Sequence, residues 1–270
     1  MSKVTTRQIL SMKQSAEKIA MLTAYDHSFA KILDQQAVDI ILVGDSLGMV
    51  IQGHPTTIPV TLDDMIYHSK AVGRACKRAL LLVDLPFLSY AYPQQAVKNA
   101  ARLMQEGGAE MVKLEGGEPQ IETVRHLAAQ GIPVCAHLGL QPQSVHKLGG
   151  YRVQGREVSV AKQIEQDAKA LQDAGADMLL LECVPVALAK QITLALDIPV
   201  IGIGAGRDCD GQVLVLHDML GITDHPPKFT QNFLQCDADN APCHTIPKAV
   251  AAYVNAVKQG HFPSDEQCFL

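Results

Sequence analysis

The stretch "EMVKLEGGE", residues 110–118, starts with the apolar residues of a buried strand, then sets Lys113 and Glu115 on the opposite face just before a Gly-Gly turn. A cation and an anion in such a place are costly to bury unless each has a partner. Two further carboxylates stand in similar positions: Asp45 closes "DIILVG", and Asp84 lies between "ALLLV" and "LPF". If these runs are neighbouring strands ending at one mouth, Asp45, Asp84 and Glu115 repel one another unless a divalent cation sits among them. Oxygen ligands from few side chains, with room for water and substrate, favour Mg²⁺ over Zn²⁺. The competing arrangement needs no metal: each carboxylate is hydrogen-bonded separately, or paired with a base such as Lys113.

Lys113 has three readings: an internal ion pair, a clamp for a substrate carboxylate, or an imine-forming amine. A metal that already polarises the carbonyl makes the imine redundant. Glu182 ends "DMLLLE", and burial among those residues would raise its proton affinity, as suits a base that removes a carbon-bound proton. A fourth metal ligand or a structural acceptor are its alternatives. His137, in "VCAHLG", either contacts a ligand or is a satisfied core residue. "GIGAG" (202–206) lacks the frame of a phosphate loop, so close approach of the backbone to a neighbour ranks ahead of phosphate binding.

The elements that must position these groups are short apolar runs separated by segments of helical period, an alternation that argues for a parallel sheet. Strands are expected at 18–24, 39–44, 79–85, 109–115, 132–139, 177–183, 198–206 and 212–218. Eight such units read as a (β/α)₈ barrel, with an open doubly wound sheet as the alternative. In a barrel the chemistry sits at the C-terminal strand ends, here marked by Thr23, Tyr25, Asp45, Asp84, Glu115, His137, Glu182 and His217. Residues 245–260 read as a closing helix and 224–243 as an extended loop. A chain of 270 residues suits one barrel domain over 1–270, since barrels run to roughly 250 residues.

Composition narrows the function. A net charge of −5 with no Lys/Arg-rich run leaves no footprint for nucleic acid, so small molecules are the expected partners. Seven cysteines without a CxxC pair fit free thiols in a reducing cytosol. No apolar run approaches the roughly 20 residues of a membrane span, and "MSKVTTRQILSMK" lacks a signal-peptide core, which makes a cytoplasmic protein the expectation.

Longer motifs carry more. "MLTAYD" (21–26), "VGDSLGMVIQG" (43–53), "TIPVTLDDMIYH" (57–68), "DLPF" (84–87), "VKLEGG" (112–117), "PVCAHLGLQPQS" (133–144), "GGYRVQGR" (149–156), "LLLECVP" (179–185) and "IPVIGIGAG" (198–206) together resemble the ketopantoate hydroxymethyltransferases. "DGQVLVLHDMLGI" and "PKFTQNF" extend the resemblance to about residue 234, and the stretch from "LQCDADNAPCHT" matches less clearly.

That resemblance implies a (β/α)₈ TIM barrel of the phosphoenolpyruvate/pyruvate-binding type, assembled as a homodecamer. It implies transfer of a hydroxymethyl group from 5,10-methylenetetrahydrofolate to 3-methyl-2-oxobutanoate through a Mg²⁺-stabilised enolate, giving ketopantoate for pantothenate biosynthesis. Asp45, Asp84 and Glu115 would surround the metal, and Glu182 would accept the proton. Ser46 and Lys113 would grip the keto acid, with Asp45, Asp84 and His137 completing its surroundings. Met49, Val50 and Ile51 would form one wall of a folate slot. The rival enzyme is a Mg²⁺-dependent oxo-acid lyase or mutase on the same barrel; the rival without catalysis is a metal-stabilised, ring-forming binding protein.

Overall fold

Eight runs rich in Leu, Ile and Val form parallel strands in a computed structural model that describes residues 2–235 and 245–270. They are β1 (Ile19–Thr23), β2 (Ile40–Val43), β3 (Leu80–Asp84), β4 (Met111–Glu115), β5 (Val134–Gly139), β6 (Met178–Glu182), β7 (Val200–Ile203) and β8 (Gly211–Leu214). Each pairs with the next, and β1 pairs with β8 through Ile19↔Gly211 to Leu22↔Leu214, so the sheet closes and the open alternative falls away. Nearly every strand residue is buried, because side chains facing inward fill the barrel and those facing outward meet the helices.

The intervening helices follow the expected periodicity and caps. Helix Leu62–Gly73 starts with a reciprocal capping box between Thr61 and Asp64, and helix Pro93–Gln105 starts with proline, whose missing N–H costs nothing in a first turn. Helix Ile246–Lys258 closes the ring from outside: the buried Tyr253 hydroxyl lies 2.9 Å from both Met21 O on β1 and Gln212 O on β8. Residues 236–244, which hold Cys236, Cys243 and the end of the predicted 224–243 loop, lie outside the described residues.

Three features differ from the sequence expectation. Helix Thr6–Gln14 was not expected; Thr5 and Gln8 cap it, Ile9 and Met12 bury one side, and Lys13 pairs with Asp210 just before β8 at 2.7 Å. The eighth strand stops at Leu214, because Leu216–Met219 forms a helical turn whose first N–H donates to Thr23 Oγ1 at 2.9 Å. His217 therefore sits beyond the strand end, its ring 5.7 Å from that of Tyr25. β7 stops at Ile203, and Gly204 turns with φ +61 where a Cβ would lie 2.8 Å from Phe229, which supports close backbone approach as the reason for "GIGAG".

At the strand starts, the most deeply buried carboxylate is neutralised. Asp39 is fully buried, pairs with Arg78 and Lys258 at 2.7 Å each, and accepts from Ala20 N. This is the stabilising end of a barrel, and polar groups at the other end are available for chemistry.

Candidate active site at the barrel mouth

Strand register sets the site's frame. Asp84 is level with Lys113 across β3 and β4, Glu115 with His137 across β4 and β5, and Gly139 with Glu182 across β5 and β6. Asp45 and Ser46 follow β2 directly. All seven predicted site residues, Asp45, Ser46, Asp84, Lys113, Glu115, His137 and Glu182, line one cavity of about 570 Å³ at the C-terminal mouth.

Lys113 Nζ lies 2.9 Å from Asp84 Oδ1, with both side chains almost fully buried. Burial opposes the ammonium charge, but the negative fields of Asp84, Glu115 and Asp45 outweigh it and hold the Lys113 pKa above its ordinary value. A lysine held protonated disfavours an imine, which needs the free amine, and suits an ion pair or an anion clamp. His137 lies between two carboxylates, with Nδ1 3.6 Å from Glu115 Oε1 and Nε2 3.3 Å from Glu182 Oε2. Burial and the Lys113 cation work against its protonation, yet Glu115 and Glu182 raise its pKa to about 9.

Asp45 is strongly disfavoured as an anion. Burial first, then the charges of Asp84 and Glu115, push its pKa well above the carboxylate range, against the opposing pull of Lys113 and Gln143. Burial likewise raises Asp84 even though Lys113 pulls it down. Glu182 differs from the apolar burial its flanks predict: its side chain is 15% exposed, against 3% for Asp84 and Glu115, although all three end their strands and line the cavity. The next residue, Cys183, takes the left-handed conformation at φ +49, unusual for a side chain with a Cβ.

Among the described residues no three His, Cys, Asp or Glu side chains close on one point as a finished metal cage. The oxygen donors nevertheless suit Mg²⁺, which uses one or two carboxylates and completes its shell with water and substrate. The raised pKa of Asp45 marks a place where a further positive charge would be favourable.

Two residues of the site were not anticipated. Gln143, in the turn Pro142–Ser144 after β5, donates from Nε2 to Asp45 Oδ2 at 2.8 Å and to Leu85 O at 3.0 Å, and its N–H donates to Glu115 Oε2 at 3.1 Å. Tyr90, in the loop after β3, donates its hydroxyl to Gln143 Oε1 at 2.5 Å and accepts from Glu115 N at 3.3 Å. A polar residue beside a proline in a βα-loop was the available signal. Ser46 accepts or donates at 2.9 Å to the Tyr25 hydroxyl.

The upper cavity is apolar and aromatic. Met49 and Val50 line it as expected, but Ile51 is 45% exposed and lies outside the lining. The facing wall comes from Phe229 and Phe269, whose rings meet edge to face at 6.5 Å. The chain end is tied down there: Val186 N donates to Phe269 O at 3.0 Å, and Lys228 Nζ donates to Cys268 O at 2.9 Å. No helix among the described residues is long and apolar enough to cross a membrane. Cys76, Cys135, Cys183, Cys209 and Cys268 are free thiols, as expected.

Comparison with known proteins supplies the chemistry's context. A solved phosphonopyruvate hydrolase, in complex with oxalate and Mg²⁺, has the same fold with a TM-score of 0.63 at 12% identity, over 82% of this chain and 83% of its own. A 2,3-dimethylmalate lyase of the PEP mutase/isocitrate lyase superfamily aligns at TM-score 0.53 and 16% identity, over 74% and 72%. These likenesses carry the barrel type alone. Sequence relatives are much nearer: the 3-methyl-2-oxobutanoate hydroxymethyltransferase of Nitrosococcus oceani is 58% identical over 97% of this chain and 98% of its own. The family model for ketopantoate hydroxymethyltransferase matches residues 3–265. With agreement of that depth running from the first helix past the closing one, the chain belongs to the ketopantoate hydroxymethyltransferase family.

Proposed function

We propose that the barrel mouth transfers a hydroxymethyl group from 5,10-methylenetetrahydrofolate to 3-methyl-2-oxobutanoate, with Glu182 as the base and the buried carboxylates as the seat of Mg²⁺. Family membership supplies the reaction class: the enzyme is a hydroxymethyltransferase that forms ketopantoate. The observation that carries the residue assignment is that all four carboxylates line one cavity, with Glu182 the more exposed at 15% and Asp84 and Glu115 at 3%.

Asp45 and Asp84, with Glu115 beside them, would hold the cation, which supplies Lewis-acid polarisation of the keto oxygen when bound. Lys113 has three N–H donors; Asp84 engages one, which leaves a donor for the substrate carboxylate. Ser46, held by Tyr25, provides a second hydrogen bond. Glu182 then removes the proton from C3, next to the keto carbon, while His137 holds the oxygen of Glu182 that faces it. The methylene carbon is bonded to two folate nitrogens: one C–N bond opens to an iminium as that nitrogen takes up the proton removed from C3, and the carbanion-like C3 attacks the iminium carbon. Water then displaces the second nitrogen, its hydroxyl staying on the product and its proton leaving with the tetrahydrofolate. Val50, Met49, Phe229 and Phe269 exclude water around the reacting carbons.

The resemblance that supplies the co-substrate also supports a homodecamer acting in the cytoplasm. The decisive experiment follows the C3 proton of 3-methyl-2-oxobutanoate by NMR in D₂O, with Mg²⁺ or chelator, before and after adding methylenetetrahydrofolate. Metal-dependent exchange followed by folate-dependent ketopantoate is the expected result. Carbon–carbon cleavage of a diacid without folate would establish a lyase, and no exchange under any condition would leave a binding protein.

A further inference from the structure

Gln143 is the most heavily used polar side chain at the mouth, and it is only 4% exposed. Its orientation is determined twice over. Leu85 O can only accept, so the amide atom 3.0 Å away must be the NH₂ group. On the other side, the Tyr90 oxygen accepts from Glu115 N–H, which sends its own proton to the remaining amide atom, so that atom is the carbonyl oxygen. Both requirements give one answer, and the NH₂ group is then locked as a donor to Asp45 Oδ2.

The consequence falls on two carboxylates at once. Gln143 occupies Asp45 Oδ2 through its side chain and Glu115 Oε2 through its backbone N–H. One oxygen of each is tied to the turn after β5; of the other two, Glu115 Oε1 faces His137 Nδ1 at 3.6 Å and Asp45 Oδ1 is left to the site. An uncharged amide does this without adding a competing charge, and a third residue, Tyr90, prevents the amide from turning over.

We infer that Gln143, locked by Tyr90, is a positioning residue that fixes the carboxylates of Asp45 and Glu115, aiming the free oxygen of Asp45, and so sets the site's affinity for its divalent cation. This rests on the cation site proposed above and goes beyond it by assigning the control of metal affinity to a residue that is not a ligand. Groups that orient metal ligands commonly change metal affinity by about 10–100-fold when removed.

The test is Mg²⁺ titration by calorimetry of the full oligomeric enzyme, without keto acid, for wild type, Gln143→Leu and Tyr90→Phe. Gln143→Leu is expected to weaken Mg²⁺ by at least about tenfold, and Tyr90→Phe, which frees the amide to turn, by a smaller but measurable factor. At saturating Mg²⁺ the C3 proton exchange of Gln143→Leu should recover to within about threefold of wild type, which a merely damaged barrel would not do. Mg²⁺ affinity within twofold of wild type in folded Gln143→Leu overturns the inference; if that variant does not fold, unchanged affinity in Tyr90→Phe overturns it. A wild-type enzyme with no saturable Mg²⁺ binding overturns the cation site itself, and this inference with it.

Discussion

Replacing Lys113 with methionine tests the charge balance of the mouth most directly. Methionine preserves most of the apolar stem and deletes the ammonium. At the 2.9 Å separation from Asp84, the lost attraction is about 6 kcal/mol at an effective dielectric of about 20. The variant also no longer desolvates an ammonium, which offsets part of this and brings the net loss to about 3–5 kcal/mol. Asp84 limits the loss by taking up a proton: its carboxyl is already raised by burial, and losing Lys113 raises it further. A raised carboxyl means that the folded form binds more protons than the unfolded chain, so its stability falls as pH rises. The destabilisation should therefore be greater at pH 8 than at pH 5. Urea unfolding at fixed protein concentration in chelator measures it, and a parallel series in Mg²⁺ should show a smaller gap, because the cation replaces the missing charge. A loss below about 1 kcal/mol in chelator at pH 8, or a gap unchanged by Mg²⁺, would refute the reasoning.

Glu182→Gln should leave keto-acid binding within a few-fold of wild type and slow C3 proton exchange by about 10²–10⁴-fold; exchange at the wild-type rate in the D₂O experiment removes Glu182 from the role of base. Asp218, whose carboxyl is raised by burial against the opposing hydrogen bond from Thr223, gives a stability contribution present below pH about 4 and lost as pH rises through the raised value. Asp218→Asn should lack that slope, so its advantage over wild type in thermal melts grows between pH 4 and 7, and parallel pH curves would contradict it.

What could be read from the sequence depended on how local the signal was. Asp45, Asp84, Lys113, Glu115 and Glu182 were legible because each interrupts or ends an apolar run, where a charge needs a reason. Barrel closure was not decided by the same runs, since Ile19 to Leu22 reads alike whether or not β8 lies alongside it. The end of β8 was misplaced because "VLVLHD" stays apolar through the turn, and only the hydrogen bond from Leu216 N to Thr23 shows where the strand gives way. Gln143 and Tyr90 were missed for the converse reason: they lie in loops after β5 and β3, where polar residues are unremarkable until folding brings them onto Asp45 and Glu115. Ile51 looked like cavity wall from its neighbours, whereas Phe269 comes from the far end of the chain, a contact no local pattern announces.

The mouth's reactive groups hang from five different staves, β2 to β6, while Thr23, Val213 and Phe269 bring in β1, β8 and the chain's end. No single strand owns this set, and the cavity around it is complete only when the first stave meets the last. Whatever binds there acts as a hoop on the barrel, tightening the closed form and doing nothing for an opened one. A ligand at a hundred times its dissociation constant adds about 2.7 kcal/mol to that closure. A ligand held at the mouth would therefore slow proteolysis of the barrel as well as take part in turnover.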